Sequence, residues 1–229
     1  MEQLRYSTFT KVHKALRALL FDTAILTQHT DFTKDNEIRT VTDRLNEIIL
    51  LFEGHAYAED NFVFSMVKNI NPAVIDALEE EHEEDHRLSQ GLQYWINMLQ
   101  QPLSAEERKA AGIGLLIGLN EFIAFNLLHM NKEETLVNEL IWETYSDEEI
   151  RANEQKLVRN IPPEKMMRYV KWMLRGLAVY EIIEWFKEVK ETAPGFVFDA
   201  LCEKAEEELA AQQWNEVKKG LWLEKSAVY

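Results

Sequence analysis

The chain has 229 residues, 46% of them hydrophobic and 28% charged, enough for one large domain or for an ordinary domain with a substantial appendage, without a covalent staple. Lys and Arg number 25 against 40 Asp and Glu, and the net charge of −15 repels nucleic-acid phosphates and anionic lipid surfaces, so neither is expected as a partner. The one cysteine, Cys202, can make neither an internal disulfide nor a Cys-x-x-Cys site, so any metal must be held by histidines and carboxylates.

No stretch offers the roughly 20 uninterrupted apolar residues that a membrane span requires. The segment Met1 to Phe21 mixes Glu2, Arg5, Lys11, His13, Lys14 and Arg17 among its apolar residues, unlike the apolar core of a secretory signal. A cytoplasmic protein is the expectation. With eight Gly, five Pro and no period-two alternation, the chain reads as all-α. A first helix is predicted from about Tyr6 to Gln28, with Phe9, Leu16, Leu19 and Leu20 at helical spacing around His13. A second runs from about Asp35 to Asn69 and ends at Asn71-Pro72. A third runs from about Ala73 to Gln100, striped by Ile75, Leu78, Leu92, Ile96 and Leu99, and Pro102 ends it. Ser104-Ala105-Glu106-Glu107 reads as a capping box that opens a fourth helix, continuing to about Tyr145. Four long helices with short connections specify an up-down-up-down four-helix bundle over residues 1–145.

A second capping box, Ser146-Asp147-Glu148-Glu149, gives the best candidate boundary, and residues 146–229 read as a three-helix C-terminal extension. Pro162-Pro163 begins one of its helices, to about Glu191, and Pro194-Gly195 precedes the last, ending near Gly220. Trp172, Leu174, Leu177, Ile182, Trp185 and Phe186 make this segment too apolar for a flexible appendage. It is expected to bury a face against the bundle or a partner subunit, which leaves a homo-oligomer through the C-terminal helices possible. No internal repeat is visible.

The chemistry is concentrated in the histidines. Five of six fall within the four bundle helices: His13, His55, His82 with His86, and His129. Glutamates follow two of them at the fourth residue, in His55-Ala-Tyr-Ala-Glu59 and His129-Met-Asn-Lys-Glu133. A spacing of four stacks both side chains on one helix face. That face is apolar: it carries Ile48, Phe52, Phe62 and Met66 on the second helix, and Phe122, Phe125, Leu136 and Leu140 on the fourth. One inward histidine is most simply a hydrogen-bonded core residue. For a stripe about 100° wide, however, five inward histidines arise by chance with odds of only ~0.002. Two ionised glutamates buried beside them need a cation to neutralise them.

Imidazole with carboxylate suits iron, zinc or manganese, and seven ligands exceed one tetrahedral zinc. They fit two octahedral ions, with Glu59 and Glu133 bridging and the histidines at the ends. A shared oxo or hydroxo group then brings the filled positions to eleven of twelve, and an exogenous ligand takes the last.

The early His13, the H-x3-E of His55 and Glu59, the paired His82 and His86, and His129 with Glu133 together resemble the hemerythrin and hemerythrin-like (HHE cation-binding) family over about Phe9 to Glu134. The resemblance implies two Fe ions, with Zn or Mn as substitutes. His82, His86 and His129 would cap one ion and His13 and His55 the other, with Glu59 and Glu133 between them. Oxygen-carrying members have Asp at plus five where this chain has Glu at plus four, and they are about half its length. Both departures point to the broader HHE branch, which resembles sensors of iron, oxygen or nitric oxide and iron-cluster repair proteins. Many of its members keep only the first histidine of the third helix. The expected function is to bind or sense O2, NO or iron status; the alternative is a di-iron enzyme acting on peroxide, NO or Fe(II), or in iron-sulfur cluster repair. Ferritin-like sites, with Glu-x-x-His on each of two helices, do not match, because Glu79-x-x-His82 and Glu83-x-x-His86 share one helix. The acidic run Glu79 to Asp85 reads mostly as a solvated face.

Overall fold

The periodic apolar stripes of the first 145 residues form the expected helices in this computed structural model, which describes residues 5–222 and shows no strand among them. Helix α1 (Phe9–His29) buries Phe9, Leu16, Leu19 and Leu20. Helix α2 (Asp35–Ala58) continues without a break into a π-helical turn, π1 (Glu59–Val63), and the short α3 (Phe64–Val67). Helix α4 (Pro72–Leu99) starts on proline, with Asn71 accepting the Val74 N–H at 3.3 Å. Helix α5 (Ala105–Lys132) opens with the predicted Ser104/Glu107 capping box and passes through a second π turn, π2 (Glu133–Val137), into α6 (Asn138–Thr144). The result is an all-α bundle, as the helical stripes require.

The two π turns change which residues face the core. A π turn inserts one residue, and each residue turns an α-helix by about 100°. An unbroken α-helix would carry the inward stripe through Phe62 and Met66, and through Leu136 and Leu140. Instead Val63, Val67, Val137 and Ile141 are buried, while Leu136 is 44% exposed. The inward register has moved on by one residue in both rods. Glycine sets the approach of α4 to α5: a Cβ on Gly114 would lie 2.4 Å from the Trp95 ring, and Gly118 flanks the same indole. The continuous helical run Ala105–Thr144 is, among the described residues, the one helix long and apolar enough to cross a membrane; a core helix of a soluble protein meets the same test.

Helix α7 (Asp147–Asn160) begins at the predicted Ser146/Glu149 capping box and buries Ile150 with Phe9, Val63, Phe64, Val67, Ile75, Leu78, Val137 and Ile141. It therefore belongs with the bundle residues. The chain divides into two units: the residues through Thr10 with Leu19–Ile161, and Lys11–Ala18 with the helices from Pro162 onward. The division falls after Ile161, where the sequence reading drew it after Tyr145.

The second unit has helices α8 (Pro163–Gly176), α9 (Val179–Thr192), α10 (Gly195–Glu208) and α11 (Ala211–Trp222). They begin at 163, 179, 195 and 211, a constant sixteen-residue step that no sequence repeat announces. The single helix predicted from Pro162 to Glu191 is two, broken at extended Leu177 and Ala178. Glu181 accepts the Ala178 N–H at 2.8 Å and pairs with Lys14 at 2.5 Å. Gly176 sits on the backbone of the α1 stretch, where a Cβ would be 2.4 Å from the Lys14 carbonyl oxygen. Phe186, Leu201, Ala205, Trp214, Val217 and Leu221 form the core of this unit.

Candidate metal centre

The H-x3-E spacing delivers its two side chains together. His55 Nε2 lies 3.1 Å from Glu59 Oε1, and His129 Nε2 lies 3.1 Å from Glu133 Oε1. Each glutamate is the first residue of a π turn. Such turns recur at functional sites, where they re-aim side chains that a uniform helix would stack. From α4, His82 Nε2 stands 3.5 Å from Glu59 Oε2 and 3.7 Å from Glu133 Oε1.

Six of the seven predicted ligands are brought together. His13, His55, Glu59 and Glu133 form one group, and Glu59, His82, His129 and Glu133 a second; within each, one ligand atom per residue lies within 4.8 Å of the others. Both glutamates belong to both groups. His13 and Glu133 are fully buried, and His55, Glu59 and His129 nearly so. The seventh, His86, is left out: its side chain is 59% exposed, with Gln90 at 2.9 Å and Glu53 at 3.9 Å. The cause is the register of α4. Its buried residues are Ile75, Leu78, Asp85, Ser89, Leu92, Ile96 and Leu99, and after His82 that alternation of three and four turns Asp85 inward and leaves His86 on the flank. Without His86 each group offers four donors, so the sequence count of eleven filled positions drops by one. His29 ends α1 and is exposed.

Around the second group, Asp60 Oδ1 lies 2.8 Å from His82 Nδ1, and Glu81 Oε2 lies 2.8 Å from His129 Nδ1. Glu81 also pairs with Lys132. Phe64 stacks on His82 with centroids 5.4 Å apart, and Phe125 on His129 at 6.0 Å. One turn from His82, buried Asp85 accepts at 2.6 Å from Nδ2 of Asn126, itself one turn from His129. Neither Asp60 nor Glu81 was a sequence candidate, and the acidic run containing Glu81 and Asp85 is less solvated than expected. The signal for Asp85 was available in the α4 heptad spacing; nothing in the sequence singles out the other two.

The electrostatics call for a cation. Burial opposes charge on His82, but Asp60, Glu133 and Glu59 outweigh it and push the imidazole up to about 12. Burial likewise opposes charge on His129, and Glu133 and Glu81 raise it. Burial raises Asp85, with Asn126 and the nearby histidines pulling the other way. His82 Nε2 and His129 Nε2 are buried atoms with no hydrogen-bond partner, although carboxylate oxygens stand near them. Nitrogen donors facing carboxylates in a dry core are what a first-row cation takes as ligands.

Comparison with known proteins agrees with this geometry. The sequence pattern described as the hemerythrin HHE cation binding domain matches residues 4–141. Two zinc finger proteins of Arabidopsis thaliana described as BRUTUS-like are similar, one 24% identical over 186 residues and the other 23% over 190. Each alignment takes in 81% of this chain and 15% of the relative, so the chain spans a small part of their length. No solved structure matches.

Proposed function

The chain belongs to the hemerythrin HHE cation-binding family, and from that premise we propose that it holds two iron ions between α1, α2, α4 and α5 and uses them to bind or sense O2, NO or iron status. The observation that carries this reading is the sharing of Glu59 and Glu133 between two groups of donors. Two cations side by side would each meet two imidazoles and an oxygen of each shared carboxylate. The metal is expected to be iron because the donor set has no thiolate and because of the family; zinc and manganese suit the same donors. Bound iron would supply redox chemistry and, with four protein donors in each group, coordination room for a small ligand. The chain itself contributes the dry setting, with Phe64 and Phe125 against the imidazoles and Phe122 fully buried one turn below.

One observation favours the alternative, a di-iron enzyme acting on peroxide, NO or Fe(II), or in iron-sulfur cluster repair. Asp85 is a buried carboxyl one turn from His82, held by Asn126 one turn from His129, raised by burial, and suited to hold a proton beside the site. Metal analysis with optical spectra in air, after anaerobic reduction and after readmission of oxygen, tests the main reading. It expects two iron per chain and near-ultraviolet bands that bleach and return. One zinc per chain with no such bands refutes it. Turnover of peroxide or NO that Asp85→Asn slows at unchanged iron content would favour the enzyme.

A further inference from the structure

Resting on the dinuclear reading, we propose that Asp60 and Glu81 are positioning residues for the half of the site built on His82 and His129, with Lys132 anchoring Glu81 from the surface. Three pairs of sequence neighbours interlock around these histidines. Glu59 faces His82 Nε2 at 3.5 Å while Asp60 meets Nδ1 of the same ring at 2.8 Å. Glu81, next to His82 on α4, reaches across to His129 Nδ1 on α5 at 2.8 Å. Lys132, next to Glu133, holds the far oxygen of Glu81. In each pair one residue faces the donor groups and its neighbour braces a side chain on another element.

The chemistry of the brace is specific. An ionised carboxylate only accepts hydrogen bonds, so each Nδ1 must carry the proton it donates. In a neutral, ligating ring that leaves Nε2 as the lone-pair nitrogen, and Nε2 is the atom that faces the shared glutamates, at 3.5 and 3.7 Å for His82 and 3.1 Å for His129. The two carboxylates also add negative charge beside this half, which favours a more highly charged ion there. The side chains of Asp60 and Lys132 are 39% and 49% exposed, so substituting them does not open the core.

The test is Zn(II) binding to the full chain by chelator competition, with nitrogen-detected NMR of the imidazoles in the zinc-loaded protein. Asp60→Ala and Glu81→Ala are each expected to weaken one of two Zn(II) equivalents by about 10–100-fold and to leave the other intact. The Nδ1 proton of the unbraced ring should then exchange rapidly with solvent. Asp60→Asn and Glu81→Gln keep an oxygen acceptor and should restore slow exchange and part of the affinity, a rescue that a merely structural role would not give. Lys132→Met, which leaves the His129 contact in place, should give a smaller loss than Glu81→Ala. Unchanged affinity and exchange in the alanine variants overturns the proposal while the dinuclear reading stands. A wild-type chain that does not take up two Zn(II) overturns both.

Discussion

Adding one methyl group at two glycines should change stability in opposite directions. Gly91 lies exposed inside α4 with nothing within 4 Å of where a Cβ would stand, so Gly91→Ala removes backbone entropy from the unfolded chain without a clash. The expected gain is about 0.5–1 kcal/mol. At Gly176 the same Cβ would lie 2.4 Å from the Lys14 carbonyl oxygen and 2.8 Å from its carbon. Those are backbone atoms inside a helix and cannot rotate away, so α8 must retreat from α1. Overpacking of this kind costs roughly 1–3 kcal/mol, and the terminal position of Gly176 in α8 offers little helix propensity to offset it. At about 2–4 °C per kcal/mol for proteins of this size, Gly91→Ala should melt a few degrees higher and Gly176→Ala lower by up to about 12 °C. Scanning calorimetry of the metal-free proteins measures both. A Gly176→Ala protein as stable as wild type would refute the close approach of α8 to α1, and a destabilised Gly91→Ala would refute the open space at α4.

Phe64 is fully buried and stacked on His82, so Phe64→Ala should cost about 3–5 kcal/mol in denaturant unfolding and weaken metal uptake, whereas Phe196→Ala, 74% exposed, should stay within about 0.5 kcal/mol. His86→Ala should retain every metal equivalent that the wild type binds and His129→Ala should lose at least one; equal losses would return His86 to the site. In metal-free protein the His82 imidazole is raised from 6.5 to about 12. Its protonated form therefore stabilises the fold fully below about pH 6.5, and that contribution is lost as pH climbs toward 12. The stability gap between metal-free wild type and His82→Gln should narrow with rising pH, and a widening gap would contradict the shift. Because cation binding must displace such protons, metal affinity should fall as pH is lowered, which a titration at several pH values reads directly.

The bundle was legible because its apolar residues recur at three and four, and because Ser104 and Ser146 mark helix starts by chemistry that survives into the structure. His13, His55, Glu59, His82, His129 and Glu133 could be picked out since polar residues on an apolar stripe stand out. The π turns were hidden because either phase looks buried: Phe62 beside Val63, Met66 beside Val67, Leu136 beside Val137 and Leu140 beside Ile141. The sequence cannot place His86, because a spacing of four from His82 is as helical as the spacing of three that turns Asp85 inward. The break at Leu177 and Ala178 is not legible in the sequence because neither residue is a helix breaker; Gly176 and the acceptor carboxylate of Glu181 end and restart the helix there. Asp60 and Glu81 resemble any solvated acid, and only the fold shows which imidazole each one meets.

The π turns also tie the apolar core to residue count. Beyond Glu59 and Glu133, Val63, Val67, Val137 and Ile141 close on Phe9, Ile75, Leu78 and Ile150 only because each rod carries one surplus residue. Relaxing either turn to uniform α-helix at unchanged length would rotate everything past the glutamate by about 100°, like a shaft slipping one tooth. The half of the molecule beyond the carboxylates would then present Phe62 and Met66, or Leu136 and Leu140, to a core shaped for smaller β-branched side chains. Deleting one residue inside either turn would instead remove the surplus and leave Val63 and Val67, or Val137 and Ile141, facing inward on a uniform helix, so the phase of this hydrophobic layer is set by the π turn that each glutamate begins.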